Sequence, residues 1–265
     1  MTEPHHRYLD QISAAAAQRR YGHLDLLLDP AADGDNWLRR IAMIQPRLEC
    51  LRLFDDTPFS DLRQDSPLLV RVMLSQPSHC DWLDGSLSLL WSQPQWIVLL
   101  SSSSQPALAA HLRRFLTVKL DDGGLTLLRY YDPRLLRIVI NALTPTQGAA
   151  LGQRIDLWLW RNRDGALERW TAPSDHPAPL PSSHQPLPLD STQRVQLESY
   201  VEAHASLIQL LSLEPVRATQ SQEQLLDELA RLNRQADVES RWNSVERMEW
   251  IAQQLADQAS LPQEQ

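Results

Sequence analysis

Hydrophobic positions change their period along the chain, and the change divides it. Residues 23–30, HLDLLLDP, form an aliphatic run closed by Asp29-Pro30 and predict a buried strand, while DNWLRRIAMI carries helical spacing at Trp37, Ile41 and Ile44. ECLRLF (49–54) and LLVRVM (68–73) read as strands around a polar stretch whose Thr57-Pro58 and Ser66-Pro67 mark turns. HCDWLDGSLSLLW (79–91) reads as a helix despite Gly85, and QWIVLLS (95–101) as a strand buried on both faces.

SSSSQPALAAHLRRFL follows, with Ser103 or Ser104 as helix cap, Pro106 in the first turn, and Leu108, Leu112 and Phe115 inward. The segment LTVKL-DDGG-LTLLRYY predicts a β-hairpin about Asp122-Gly123, from which a mixed sheet is expected. Asp132 then stands where an N-cap belongs and Pro133 at the first helical position, with Leu135, Leu136, Val139 and Leu143 as the apolar face. RIDLWLWRN (154–162) alternates with apolar bulk on both sides, and RDG with ALERW extends it into a second hairpin.

Residues 172–190, APSDHPAPLPSSHQPLPLD, hold six prolines and no periodic pattern, which is a linker composition. Beyond them the period is helical throughout. Leu197, Val201, His204, Ile208 and Leu211 form one stripe; Leu225, Leu229, Leu232 and Ala236 a second; Val238, Trp242, Val245, Met248, Ala252 and Leu255 a third. The expected organisation is an α/β lobe at 1–171 with a mixed sheet and flanking helices, a proline-rich linker at 172–190 and a helical lobe at 191–265. The last is short enough to need a docking surface or a partner.

Composition narrows the function. With 43% hydrophobic and 22% charged residues, the 265-residue chain is that of a globular protein. The net charge of −8 argues against a nucleic-acid partner. Residues 191–265 hold 6 basic and 12 acidic side chains, a net of −6, so most of the acidity lies in the helical lobe. Two cysteines, Cys50 and Cys80, make no disulfide framework, and neither a basic leader nor a membrane-length apolar run is present; a cytoplasmic protein without a membrane partner is expected.

The motifs of common chemistries are missing. Gly85 and Ser86 lack the second glycine of a nucleophile elbow, and the eight glycines form no phosphate-binding loop. His5 and His6 are adjacent without a second cluster, and His79-Cys80 is a lone pair, so no metal site is read. His23, His111 and His204 are isolated and read as hydrogen-bonded structural residues; Asp55-Asp56 and Asp121-Asp122 read as turn formers. No cofactor is expected. The cluster Arg129-Tyr130-Tyr131-Asp132 stays open between a polar joint, a docking surface and, as an alternative, a hydrolase-like site that pairs Asp132 with a histidine brought near by folding. Arginine outnumbers lysine 24 to 1, which fits either interface use or base composition. Trp170, Trp242 and Trp250 are further interface candidates.

The ordered segments HLDLLLDP, LRLFDDTPFSDL, SPLLVRV and WIVLLSSSSQPALAAHLRRFLTVKLDDGGLTLLRYYDPRLLR together resemble the type VI secretion effector adaptor (chaperone) family. The resemblance covers roughly residues 23–143 and is most specific from Trp96 to Arg137. It implies a non-enzymatic bacterial adaptor that binds a toxic effector protein and helps load it onto the VgrG spike. On that reading Arg113, Arg114, Arg129, Tyr131, Asp132 and Arg134 fall in matched motifs as partner-binding candidates, and the helical lobe, which resembles nothing nameable, is the part that varies with the client.

Overall fold

The computed structural model describes residues 4–30, 33–91, 95–174, 185–213 and 221–259. The chain separates into two compact units, residues 1–189 and 190–265. The first is α/β and the second helical.

In the first unit the elements run α1 (Pro4–Gln18), β1 (His23–Leu28), α2 (Gly34–Ala42), β2 (Glu49–Arg52), β3 (Leu68–Met73), α3 (Pro77–Leu89), β4 (Trp96–Leu100), α4 (Gln105–Arg113), β5 (Thr117–Lys119), β6 (Leu125–Leu127), α5 (Pro133–Ala142), α6 (Pro145–Gly152), β7 (Leu157–Arg161), β8 (Leu167–Trp170) and β9 (Leu187–Pro188). Six strands form a sheet in the order β2-β3-β1-β4-β7-β8, and every pairing in it is antiparallel. Alternation then sorts the side chains. Leu24, Leu26 and Leu28, with Leu68, Val70, Val72, Trp96, Val98, Leu157 and Leu159, enter one core with Tyr8, Ile12, Trp37, Ile41, Trp82 and Leu87 from α1, α2 and α3. Leu27, Leu69, Ile97, Leu99, Trp158 and Trp160 point the other way and are also buried. A sheet covered on both faces explains why β1 and β4 read as continuous apolar runs.

The first hairpin exists, with Gly123 at φ +84 in its turn, but it lies outside the main sheet. Its strands are three residues long and join a separate sheet, β6-β5-β9, where β9 pairs parallel with β5 through Val118↔Leu187 and Lys119↔Pro188. The mixed pairing expected of one sheet is thus divided: antiparallel in the large sheet, mixed in the small one. Turn chemistry specifies that two strands meet, not which sheet receives them. The second hairpin joins β7 to β8, with Gly165 at φ +82 in the turn. Of the proline-rich stretch 172–190, residues 175–184 lie outside the described residues, and the end at 187–189 is held to the first unit by β9 and by Leu189 N donating to Lys119 O at 2.9 Å.

The second unit contains α7 (Ser191–Leu213), α8 (Gln222–Val238) and α9 (Ser244–Ala259). The third stripe read from the sequence is corrected here, and the first proves partly exposed. On α7 the buried residues are Gln193, Ser199, Ala203, Ser206 and Leu207, whereas Val201 and Ile208 are exposed. Small side chains let α8 approach, and polar pins fix it: Tyr200 Oη donates to Asp227 Oδ1 at 2.7 Å and Arg234 Nη1 to Ser199 Oγ at 2.8 Å. The third stripe is interrupted, because α8 ends at Val238, Ser240 takes φ +56, and Trp242 lies in the connection. Arg247 at the start of α9 ties the three helices together, donating to Glu202 Oε2 and Asp237 Oδ1 at 2.7 Å each and to Asn233 Oδ1 at 2.9 Å. Among the described residues no helix is long and apolar enough to cross a membrane.

Candidate functional site

The Arg129–Asp132 cluster is a closed joint. Tyr130 is fully buried, its hydroxyl donates to Leu112 O at 2.8 Å, and its ring meets Trp158 edge-on at 6.3 Å. Tyr131 packs edge-on against Phe54 at 6.1 Å beneath the Arg129 guanidinium, 5.8 Å from the ring centre. Burial raises the Tyr131 hydroxyl far above its ordinary value despite the opposing pull of Arg129, so it stays protonated. Asp132 caps α5: its Oδ1 accepts from Arg134 N at 3.0 Å and Arg134 Nε at 2.8 Å, and its Oδ2 from Arg134 Nη2 at 2.8 Å. Hydrogen bonding to Asp132 raises the Arg134 guanidinium further. Arg129 Nη2 completes the joint by pairing with Asp132 Oδ2 at 3.3 Å and with Asp29 Oδ2, at the end of β1, at 3.2 Å.

Tyr131 and Asp132, candidate partner contacts in the sequence, are therefore buried structural groups, while Arg129 and Arg134 keep part of their surface in solvent. Asp29 was not singled out for this cluster because it lies 100 residues from Arg129. Asp132→Ala is expected to lower unfolding free energy by about 0.5–2 kcal/mol, the range of a lost N-cap; the exposed arginine partners add little. Chemical denaturation checks this, and an unchanged midpoint removes the capping argument.

Arg113 and Arg114, at the end of α4, line a cleft of about 520 Å³ together with Asp56, Pro58, Leu125 and Gln185. Arg113 is partly committed, donating through Nη2 to Arg52 O at 2.8 Å and through Nε to Leu53 O at 3.3 Å, which holds α4 to the chain leaving β2. Leu125 is exposed on β6, the edge strand of the small sheet. An apolar edge beside arginine stems is suited to an extended peptide.

Trp170 packs edge-on against Trp158 at 5.8 Å, and a Cβ added at Gly152 of α6 would come within 3.2 Å of its ring. It serves packing between β8 and α6. Trp250 is half-buried under the Arg241 guanidinium, 5.0 Å from its ring centre. Trp242 is 70% exposed, between Val238 and Val245, which are exposed as well. On α7, Val201 and Ile208 are 63% and 59% exposed; seven residues apart, they stand two turns apart on one face, with Leu197 one turn before Val201. These apolar residues on one small unit are the strongest interaction signal in the described surface. Periodicity places the α7 residues on one stripe of an amphipathic helix.

No curated protein and no solved structure matches the chain. Residues 26–150, from β1 into α6, match the model of a family described as "Domain of unknown function (DUF4123)", a segment that contains both the joint and the Arg113–Arg114 side of the cleft and excludes the helical unit.

Proposed function

We propose that this protein is a cytoplasmic adaptor, not an enzyme, that binds a type VI secretion effector and promotes its loading onto the VgrG spike. The α/β unit, with the matched segment and the cleft beside Arg113 and Arg114, supplies the spike-facing surface. The helical unit recognises the effector.

The observation that carries this reading is the exposed α7 face. Val201 and Ile208 stand exposed on one face two turns apart, with the partly buried Leu197 one turn before Val201, which is the form of a surface that receives an amphipathic helix. Charge adds the polarity of the client. Twelve acidic against six basic residues in 191–265 favour a basic flank on the bound segment and steer its approach. The hydrolase reading finds less support. The Asp132 carboxylate is engaged by two arginines, and the ring of His111 is hydrogen-bonded to Leu151 O at 2.8 Å.

The test is co-purification of the adaptor with candidate type VI effector proteins from the same genome. Val201→Asp with Ile208→Asp is expected to weaken effector capture at least tenfold, since two apolar anchors are lost to charge, while circular dichroism and spike binding stay unchanged. Undiminished capture by a folded double variant moves client recognition off this face.

A further inference from the structure

The first turn of α1 and the middle of α3 bring together three groups that the sequence keeps apart. His5 Nε2 and His6 Nε2 lie 3.2 Å and 3.4 Å from the same oxygen, Asp84 Oδ1. The three atoms fall within 4.8 Å of one another. Adjacent side chains on a helix ordinarily diverge by about 100°. Here the two rings converge instead, with centroids 4.3 Å apart.

Asp84 Oδ1 is itself buried, and among the described residues no hydrogen bond of proper geometry reaches it. With two imidazole nitrogens in ion-pair range, a cation held between the three groups would satisfy this oxygen. The spacing is informative. Ligands about 2.0–2.1 Å from a tetrahedral metal ion are separated by about 3.3–3.4 Å, close to both nitrogen–oxygen distances. Two imidazole nitrogens and one carboxylate oxygen are the donor set of a borderline divalent ion, not of Mg²⁺ or Ca²⁺. The site is also supported from behind. His5 is buried and its ring stands 6.2 Å from Trp91, which Tyr8 meets edge-on at 4.9 Å, so one ligand is oriented by packing before any ion arrives. His6 and Asp84 are each 43% exposed, which leaves an entry path and room for a water as fourth ligand.

We propose that His5, His6 and Asp84 form a binding site for one zinc-class divalent cation, and that the bound ion fastens α1 to α3. Both helices contribute to the core on one face of the large sheet, so the ion would act on the stability and exchange of α1.

The experiment uses the full-length, tag-free protein freed of metal by chelator, with ZnCl2 as the probe. Calorimetry is expected to give one equivalent bound, the thermal midpoint to rise by several degrees, and amide exchange in residues 4–18 to slow on addition of the ion. His6→Ala and Asp84→Asn, which spare the buried His5, are each expected to weaken binding at least tenfold and to remove the thermal shift. Absence of stoichiometric binding overturns the proposal. Equal binding by Asp84→Asn overturns it too, since the two histidines would then be capturing the ion without the carboxylate.

Discussion

Replacing Asp25 with alanine is expected to destabilise the α/β unit by about 3–5 kcal/mol, the cost of leaving a buried charge without its partner. Asp25 is 0% exposed in the middle of β1, and its register partner across the antiparallel ladder is Arg71 of β3. The pair is bidentate, with Arg71 Nε to Oδ1 at 2.9 Å and Nη2 to Oδ2 at 2.8 Å, and Nη2 also donates to Ser103 O at 2.9 Å. Burial raises the Asp25 carboxyl above its ordinary value, and Arg71 pulls it back. The Arg71 side chain is only 11% exposed, so truncating Asp25 strands a guanidinium between strands and the chain before α4. Replacing both residues together, Asp25→Leu with Arg71→Met, is expected to recover most of the loss because neither charge then remains. Urea denaturation of the two variants decides it: a loss below about 1 kcal/mol for Asp25→Ala contradicts the account of this pair.

The second large effect is on acid stability. His111, inside α4, donates from Nε2 to Leu151 O at 2.8 Å, while its Nδ1 is buried without a hydrogen-bond partner. A second proton would sit on Nδ1 with no acceptor, and burial, with Arg154 and Arg114 assisting, pushes the ring down to about 4 from its ordinary 6.5. The unfolded chain therefore takes up a proton as pH falls below about 6.5, and the folded one does not until about 4. Stability contributed by the neutral ring is whole above that window and is lost progressively on the way down through it. Between pH 7 and pH 5 the loss from this one group is about 2 kcal/mol. His23 is lowered by burial as well and adds in the same direction. His111→Gln, which keeps a donor for Leu151, is expected to flatten the pH dependence by that amount; parallel curves for the variant and the parent protein contradict the assignment.

These two groups also mark how far the sequence could be read. The apolar runs at 24–28 and 96–100 announced strands buried on both faces, and Asp132-Pro133 announced the start of α5 with its cap, because each signal is local. The pairing of Asp25 with Arg71 depends on register across 46 residues, and the closing of the joint by Asp29 on Arg129 across 100. Neither leaves a periodic trace. The α6 capping box, Thr144 with Gln147, is an equally local signal, written in the sequence as TPTQ. On α7 the hydrophobic period follows a face that is partly exposed, since a helix that packs through Ser199, Ala203 and Ser206 shows a weak apolar stripe where it is buried. Val201 and Ile208, which stay outside, carry the stronger pattern together with the partly buried Leu197.

Co-expression of the protein with a candidate type VI effector and a VgrG spike from the same genome, singly and together, tests the adaptor account most directly. The account predicts a ternary complex, with the effector recovered in soluble form only when this protein is present. Recovery of the effector on the spike in equal yield without it, or failure of the folded protein to hold either component, contradicts it.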